Sequence, residues 1–363
     1  MMPVMGRKRQ DSRLATVGSN DGLSRDPARS VQLTILWCLI LATVVSAVYG
    51  RALGGPFIFD DFKSIVENQS ITRMWPVVGD ADQPGPLYRL HDNPVAGRPL
   101  VNFSLALNYR FGQLNPAGYR AVNIFIHILS ALLLVAIVRR TLRLPHFSGR
   151  FDRSSDSLAL AAASLWALHP LQTESVVYIT QRTELMVALF YLATLYCCLR
   201  FWAAAAHDGR HVWLVLASVA AVAGSASKEV MVTAPLAVLL FDRTFVAGSF
   251  ANAWRSSRPL YCGLALCWIV LAYLNYDNPR GPSAGFGDGL SATGWWFTQA
   301  KVLFLYLKLA VWPAPLAVHY DFALISTLAA AWPWLLMAAA LVGATIFLLW
   351  RRDSAGLPLP SYC

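Results

Sequence analysis

The sequence has few charged residues and no cysteine spacing that is typical of a metal site. Charged residues make up only 14% of the 363-residue chain, whereas hydrophobic residues make up 56%. A soluble core of this size does not need so much apolar sequence, so the composition excludes an ordinary soluble domain and predicts a polytopic membrane protein. Five of the six cysteines lie within apolar runs, and Cys363 is the last residue. We therefore expect neither a disulfide framework nor a zinc site, and the sequence leaves a requirement for a divalent metal open.

Acidic residues are scarcer than basic ones. The chain has 20 Asp and Glu against 30 Lys and Arg, a formal net charge of +10. The basic residues cluster between apolar runs and form no continuous basic face, which argues against a nucleic-acid partner. Their clustering reports topology, because cytoplasmic loops of membrane proteins carry an excess of Lys and Arg. Basic loops follow the second, fourth and sixth apolar runs, so we expect these loops in the cytoplasm.

Apolar runs recur almost every thirty residues and predict an all-α polytopic membrane fold with about nine transmembrane helices. A helix of about 17–25 residues crosses the hydrocarbon of a bilayer and satisfies every backbone polar group internally. The predicted spans are residues 31–50, 121–138, 157–168, 185–201, 212–226, 230–241, 260–274, 295–312 and 327–350. A re-entrant path near residues 312–321 is an alternative that changes the count by one or two.

The polar segments divide the rest of the chain. We expect residues 1–30 to form a disordered cytoplasmic tail and residues 31–350 to form the membrane domain. Residues 351–363 are expected to form a C-terminal tail without tetratricopeptide repeats. A signal peptide is the alternative for residues 31–50. Residues 51–120 form a long loop that the topology places outside, and such loops usually carry function. Within it, residues 100–114 carry apolar side chains four apart, which predicts an amphipathic helix at the membrane surface.

Two adjacent carboxylates, Asp60 and Asp61, follow the first span directly. Neighbouring carboxylates raise each other's proton affinity, and partial burial among Phe57, Phe59 and Phe62 acts in the same direction. A raised pKa suits a group that must accept a proton, so we interpret the pair as a catalytic centre with Asp60 as the general base. The alternative is an exposed acidic turn after a helix.

Further ionisable residues fall on the same predicted side of the membrane. Such a gathering near hydrocarbon is a site hypothesis by default, because charges are costly there. Arg and Lys are natural phosphate ligands, so Arg98, Arg182 and Lys228 predict a phosphate clamp. The supporting residues are Glu67, His169, Glu174, Glu184 and Glu229.

Simpler interpretations of these residues stay open. Arg182 and Glu184 would pair at a helix start, Lys228 and Glu229 would form a local ion pair, and His169 would satisfy a helix end. His127 lies inside a span and is expected to bond across helices.

A carboxylate base beside cationic clamps suits transfer of a group from a lipid-linked phosphate to a hydroxyl. A transporter is the alternative from another class, and it would show paired broken helices in two related halves. A membrane scaffold without activity is a further alternative.

Five phrases carry a resemblance to a known family. They are PFIFDDFKSIVEN, GRPLVNFSLALNYRFGQLNPAGYRAVNIFIHILSALLL, ALHPLQTESVVYITQRTELMVALFYL, GSASKEVMVTAPLAVLLFD and LKLAVWPAPLAVHYDF. In this order, from about residue 52 to residue 322, the chain resembles the membrane half of the transmembrane and tetratricopeptide-repeat protein O-mannosyltransferases and their bacterial relatives.

This resemblance implies a GT-C type fold and a glycosyltransferase that uses a polyprenyl- or dolichyl-phosphate sugar. It implies transfer of mannose or another hexose to a protein hydroxyl at the outer face of the membrane, a bacterial inner membrane for this chain. Transfer to a glycan or lipid acceptor is the alternative. Matching motifs assign the paired acids to Asp60 and Asp61, and the remaining motifs to Arg98, to His169 with Glu174, to Arg182 with Glu184, and to Lys228 with Glu229.

Overall fold

The computed structural model describes residues 27–204, 209–276, 291–317, 320 and 323–354. Over these ranges the chain forms helices and no strand. The α-helices are α1 Pro27–Gly50, α2 Pro99–Gly112, α3 Pro116–Leu142, α4 Ser155–Ala167, α5 Gln172–Val177, α6 Arg182–Ala203, α7 Arg210–Ser225, α8 Ala234–Asp242, α9 Phe250–Leu274, α10 Ala292–Val311 and α11 Leu328–Ser354. Most of the predicted N-terminal tail, residues 1–26, lies outside the described residues.

Each of the nine predicted spans coincides with a helix. Six stretches of the described chain are long and apolar enough to cross a membrane: Gln32–Gly50, Pro116–Leu142, Ile179–Ala203, Glu229–Ala247, Phe250–Leu274 and Leu328–Leu349. The chain is therefore an all-α integral membrane protein, as predicted. The remaining three predicted spans fall on α4 with 13 residues, α7 with 16 and α10 with 20, and their crossing of the membrane stays a prediction.

Small residues bring the helices close together. Ala159, Ala163 and Ala167, four apart on α4, are completely buried where α4 packs on α3 and α1. On α9, Gly263 lies against α7, where an added Cβ would overlap the Ser218 hydroxyl. Helices in lipid associate through this kind of close van der Waals packing, because lipid is as apolar as the side chains.

The bundle has two chemically different ends. At one end, Arg182 of α6 donates to the Tyr119 carbonyl of α3 over 2.8 Å, so the starts of these two helices adjoin. At the other end, Arg139 and Arg143 pair with Asp156 of α4. We call the first the loop end, because the long loop packs there. The cytoplasmic position of the basic end remains a prediction.

Helix α2 corresponds to the predicted amphipathic segment. Its buried face includes Asn102, which joins a network with Asn68 and Ser70 and so fixes the long loop against the helix. The apolar stripe is on the other side: Leu107 is 40% exposed and Phe111 is 89% exposed. An outward apolar stripe suits a helix at a membrane surface, and that location stays a prediction.

Candidate functional site

Most of the predicted site residues contact or belong to one segment, residues 178–184. This segment is a short helical turn that continues into α6. Tyr178 and Thr180 face the Asp60-Asp61 turn. Further along the same segment, Gln181 contacts Glu174, and Glu184 pairs with Lys228. The 178–184 segment is therefore the part of the chain on which the site is built.

The two adjacent carboxylates occupy different environments. The Asp61 side chain is completely buried and accepts three hydrogen bonds, from the Ile58 N–H at 3.1 Å and from the Thr180 N–H and hydroxyl at 2.9 and 2.7 Å. Asp60 is exposed, and its backbone N–H donates to the Tyr178 hydroxyl at 2.9 Å. One carboxylate therefore holds the turn, and the other is exposed to solvent beside the Tyr178 hydroxyl.

The turn itself is strained. Phe59 has a φ of +45°, in the left-handed region that a bulky residue rarely adopts, and its side chain is 68% exposed. Strain of this kind persists only where the surroundings fix the backbone, and it clusters at functional sites. The Thr180 bonds to Asp61 supply such a constraint.

Burial sets the proton affinity of Asp61. It raises the pKa above its ordinary value of 3.8, while the hydrogen bonds from Thr180 and Ile58 and the charge of Arg120 act in the opposite direction. The predicted aromatic shell is wrong, because Phe59 and Phe62 are both exposed. Burial also raises the pKa of the Tyr178 hydroxyl to about 12. Tyr178 is thus a neutral hydrogen-bond donor and acceptor near neutral pH.

Two cationic side chains lie at the same end, each paired with a distant carboxylate. Arg98 donates to the Pro94 carbonyl at 3.0 Å and to Glu229 at 3.2 Å, and its buried Nε has no hydrogen-bond partner among the described residues. Lys228 pairs with Glu184. The simpler interpretations that were left open, a local pair of Arg182 with Glu184 and one of Lys228 with Glu229, do not match these contacts.

Arg182 is enclosed by protein. It has no exposed surface, and its guanidinium donates to the Asn123 side chain at 2.8 Å, the Tyr119 carbonyl at 2.8 Å and the Ser104 carbonyl at 3.2 Å. These contacts join α2, α3 and α6. Arg182 therefore holds these three helices together and does not lie at an open surface, where the predicted phosphate ligand would have to be.

A groove of about 490 Å³ lies beside the 178–184 segment. Its walls come from α4, α5, α6 and α10. They are formed by Trp166, Gln172, Glu174, Ser175, Gln181, Glu184, Leu185, Ala188 and Tyr306. Over the described residues, no group of three or more His, Cys, Asp or Glu side chains is arranged to hold a metal ion.

Curated relatives match the chain over much of its length. Protein O-mannosyl-transferase Tmtc1 of Drosophila melanogaster is 28% identical over 369 residues, which cover 89% of this chain and 38% of the relative. Tmtc2 of the same organism is 29% identical over 274 residues, 70% of this chain and 28% of the relative. TMTC4 of Homo sapiens is 27% identical over 221 residues, 58% of this chain and 30% of the relative.

The chain is therefore similar to protein O-mannosyl-transferases over 58% to 89% of its length. It spans less than two fifths of the length of each of these three relatives. No model of a protein family matches the chain, and no solved structure matches it.

Two residues of the predicted O-mannosyltransferase site lie apart from the connected set. His169 Nδ1 accepts the Leu171 N–H at 3.2 Å, so the ring stabilises its own turn by accepting an N–H and not by donating to helix-end carbonyls. Glu67 is exposed, and its carboxylate makes no hydrogen bond or ion pair to the described residues. His127, by contrast, bonds across helices as predicted, through Nε2 to the Ala167 carbonyl at 2.9 Å.

Sequence reasoning missed several residues that shape the candidate site. Arg120 donates to the carbonyls of Gly55 and Pro56 and so holds the loop just before the acidic pair. Asn123 accepts from Arg182. Both are polar residues at the start of an apolar helix, and that signal could have found them. Tyr178 and Thr180 carry no comparable signal, because an ordinary hydroxyl residue near a helix start is common.

Proposed function

We propose that the chain is a membrane glycosyltransferase that moves a hexose, such as mannose, from a polyprenyl phosphate to a protein hydroxyl. The observation that carries the proposal is the pairing of an exposed Asp60 with a buried Asp61 at the end of the bundle where Lys228 and Arg98 also lie. The names of the relatives, all protein O-mannosyl-transferases, support the reaction class and the protein acceptor.

In the proposed reaction, the Asp60 carboxylate removes the proton of the acceptor hydroxyl as its oxygen attacks the anomeric carbon. The bond from that carbon to the phosphate oxygen breaks, and the electron pair leaves with the phosphate. A general base typically contributes about 10²–10⁴-fold to such a step. Asp61 acts as a positioning residue, because its three hydrogen bonds fix the turn that presents Asp60.

Lys228 and Arg98 are the proposed ligands of the donor phosphate. The Lys228 ammonium group has three N–H donors. Among the described residues, Glu184 is the one acceptor that it contacts. The Arg98 side chain is 10% exposed and pairs with Glu229, so a bound phosphate would take the place of that carboxylate. Positive groups placed at the leaving phosphate stabilise the charge that develops there. We assign Arg182 to the architecture that holds the site, because its guanidinium is enclosed.

The proposed orientation places the loop end outside the cell. It rests on the basic end of the bundle, where Arg139 and Arg143 lie, and on the preference of such residues for the cytoplasmic side. For a bacterial chain the membrane would be the inner one.

Transfer of radiolabelled mannose from polyprenyl phosphate mannose to protein, catalysed by the purified chain, tests the proposal. Asp60→Asn should reduce turnover at least about a hundredfold. Asp82→Asn is the matched control, because Asp82 is an exposed loop carboxylate whose side chain makes no contact with the site. Full activity of Asp60→Asn would remove the general base. Label appearing only in lipid or glycan would change the acceptor class, and movement of the lipid across vesicles without transfer would indicate a transporter.

A further inference from the structure

The groove beside the 178–184 segment combines hydrogen-bonding groups with aromatic rings. Glu174 and Gln181 are joined to each other, Nε2 of Gln181 donating to Oε1 of Glu174 at 3.3 Å. The second oxygen of Glu174 accepts no hydrogen bond from the described residues. Trp166 and Tyr306 supply rings from two other helices. The volume, about 490 Å³, falls within the range of about 300–1,000 Å³ that is usual for small-molecule sites.

The charge of the lining favours a neutral ligand group. Its two ionisable acids are Glu174 and Glu184, and no Arg or Lys belongs to the lining. Carboxylates repel a phosphate but accept hydrogen bonds well, and charge-assisted hydrogen bonds are the stronger ones. A ring that carries several hydroxyl groups matches this lining, since its hydroxyls donate to the acids and amides while its C–H faces lie against the aromatic rings.

The polarity of the groove changes along one face of α6. Gln181, Glu184, Leu185 and Ala188 are spaced by three, one and three residues, so they share a face of a helical segment. The face is polar at the helix start and apolar one to two turns further into the membrane-spanning stretch Ile179–Ala203. A ligand with a polar head and a hydrocarbon tail fits this gradient. Lys228, paired with Glu184, lies next to the polar part.

We propose that this groove is the subsite for the sugar of a lipid-linked donor, with Glu174 and Gln181 holding sugar hydroxyls and Tyr306 forming a wall against the ring. The proposal rests on the proposed function, because it takes the donor to be a sugar phosphate on a polyprenyl chain. It adds a division of labour in which Lys228 meets the phosphate and the groove selects the sugar.

Equilibrium binding of two radiolabelled lipids to the purified full chain in detergent tests this division. The probes are polyprenyl phosphate mannose and the same polyprenyl phosphate without sugar. Glu174→Gln should weaken binding of the mannose lipid by about tenfold, the equivalent of one hydrogen bond to a charged group. Gln181→Ala and Tyr306→Leu, which remove neutral contacts, should weaken it by a smaller factor, and all three should leave binding of the bare phosphate unchanged. Lys228→Gln should weaken both lipids.

Matched controls separate the subsite from general damage. Gln69→Ala removes an exposed loop amide, and Tyr276→Leu removes a ring that is 85% exposed at the end of α9. Both should bind the two lipids as the parent chain does. Equal weakening of both lipids by Glu174→Gln, or no weakening of either, would overturn the sugar subsite while leaving the proposed function intact. If the parent chain binds neither lipid, the donor class itself is wrong. Asp60→Asn should bind both lipids normally, since it acts on the reaction step.

Discussion

Replacing the two adjacent carboxylates one at a time should produce two different defects. In Asp60→Asn, the exposed side chain loses its charge, while the backbone N–H that donates to Tyr178 is kept. In Asp61→Asn, a buried acceptor of three hydrogen bonds becomes an amide. The carbonyl oxygen of Asn still accepts from Thr180. Its NH₂ group, however, faces the Ile58 N–H, and because both groups are donors that hydrogen bond is lost.

The size of the Asp61 defect follows from that mismatch. A buried donor left without an acceptor costs about 1–3 kcal/mol. Loss of the buried charge offsets part of this cost, because burial already raises the pKa of Asp61. We therefore expect Asp61→Asn to destabilise the fold by about 1–2 kcal/mol. Asp60→Asn should leave stability unchanged and reduce turnover about 10²–10⁴-fold.

The pH dependence distinguishes the two variants further. A carboxyl whose pKa is raised in the folded protein binds its proton more tightly there than in the unfolded chain. The contribution of Asp61 to stability is therefore fully present below pH 3.8 and is lost as pH rises through the raised pKa. Asp61→Asn should remove this component, and Asp60→Asn should retain it.

Thermal unfolding followed by tryptophan fluorescence, between pH 3.5 and 7, measures stability, and transfer of radiolabelled mannose measures turnover. Thr180→Val serves as the companion variant, because it removes only the hydroxyl that donates to Asp61 and should resemble Asp61→Asn in stability. Earlier unfolding of Asp60→Asn than of the parent chain, or equal stability of Asp61→Asn and the parent at every pH, would contradict these roles.

Three further outcomes are expected. Glu184→Gln should strengthen binding of bare polyprenyl phosphate about two- to fivefold, because Lys228 loses a competing partner in a partly exposed ion pair. Unchanged binding in an equilibrium assay would contradict this expectation. A cysteine that replaces exposed Gln69 should react with an impermeant thiol reagent in intact cells, whereas a cysteine that replaces Arg153 should not. The reverse labelling would invert the proposed orientation. Gly263→Ala should destabilise the α7–α9 contact by about 1–3 kcal/mol, detectable as earlier thermal unfolding.

The helices were predictable because apolar length is a strong signal, but their ends were not. Helix α9 begins at Phe250, ten residues before the predicted span at 260, and continues through Arg255 and Arg258, which indicated a loop. The helical stretch is interrupted there by a kink, because Ser257 is in a non-helical conformation at φ −125° just before Pro259. The predicted loop is therefore a kink between two helical segments.

The site was predictable as a gathering of charges but not as a set of pairs. Lys228 meets Glu184 across 44 residues, and Arg98 meets Glu229 across 131 residues, in preference to nearer partners. Packing of α2 against the turn after α7, through the Leu100 N–H and the Ala226 carbonyl at 3.1 Å, fixes these partners. The sequence likewise contains no signal for which of two adjacent carboxylates is buried, because the Thr180 contact that decides it spans 119 residues.

The crossed ion pairs bear on how phosphate and sugar recognition are coupled under the proposed function. A donor phosphate that binds Lys228 displaces Glu184, and a partly exposed pair of this kind contributes only about 0.2–1 kcal/mol, so the displacement costs little. Glu184 also lines the groove, so its released carboxylate gains a free oxygen for a sugar hydroxyl. A bare phosphate breaks the ion pair without that compensation, whereas a sugar phosphate regains a hydrogen bond to a charged group. The arrangement therefore favours the lipid that carries both groups.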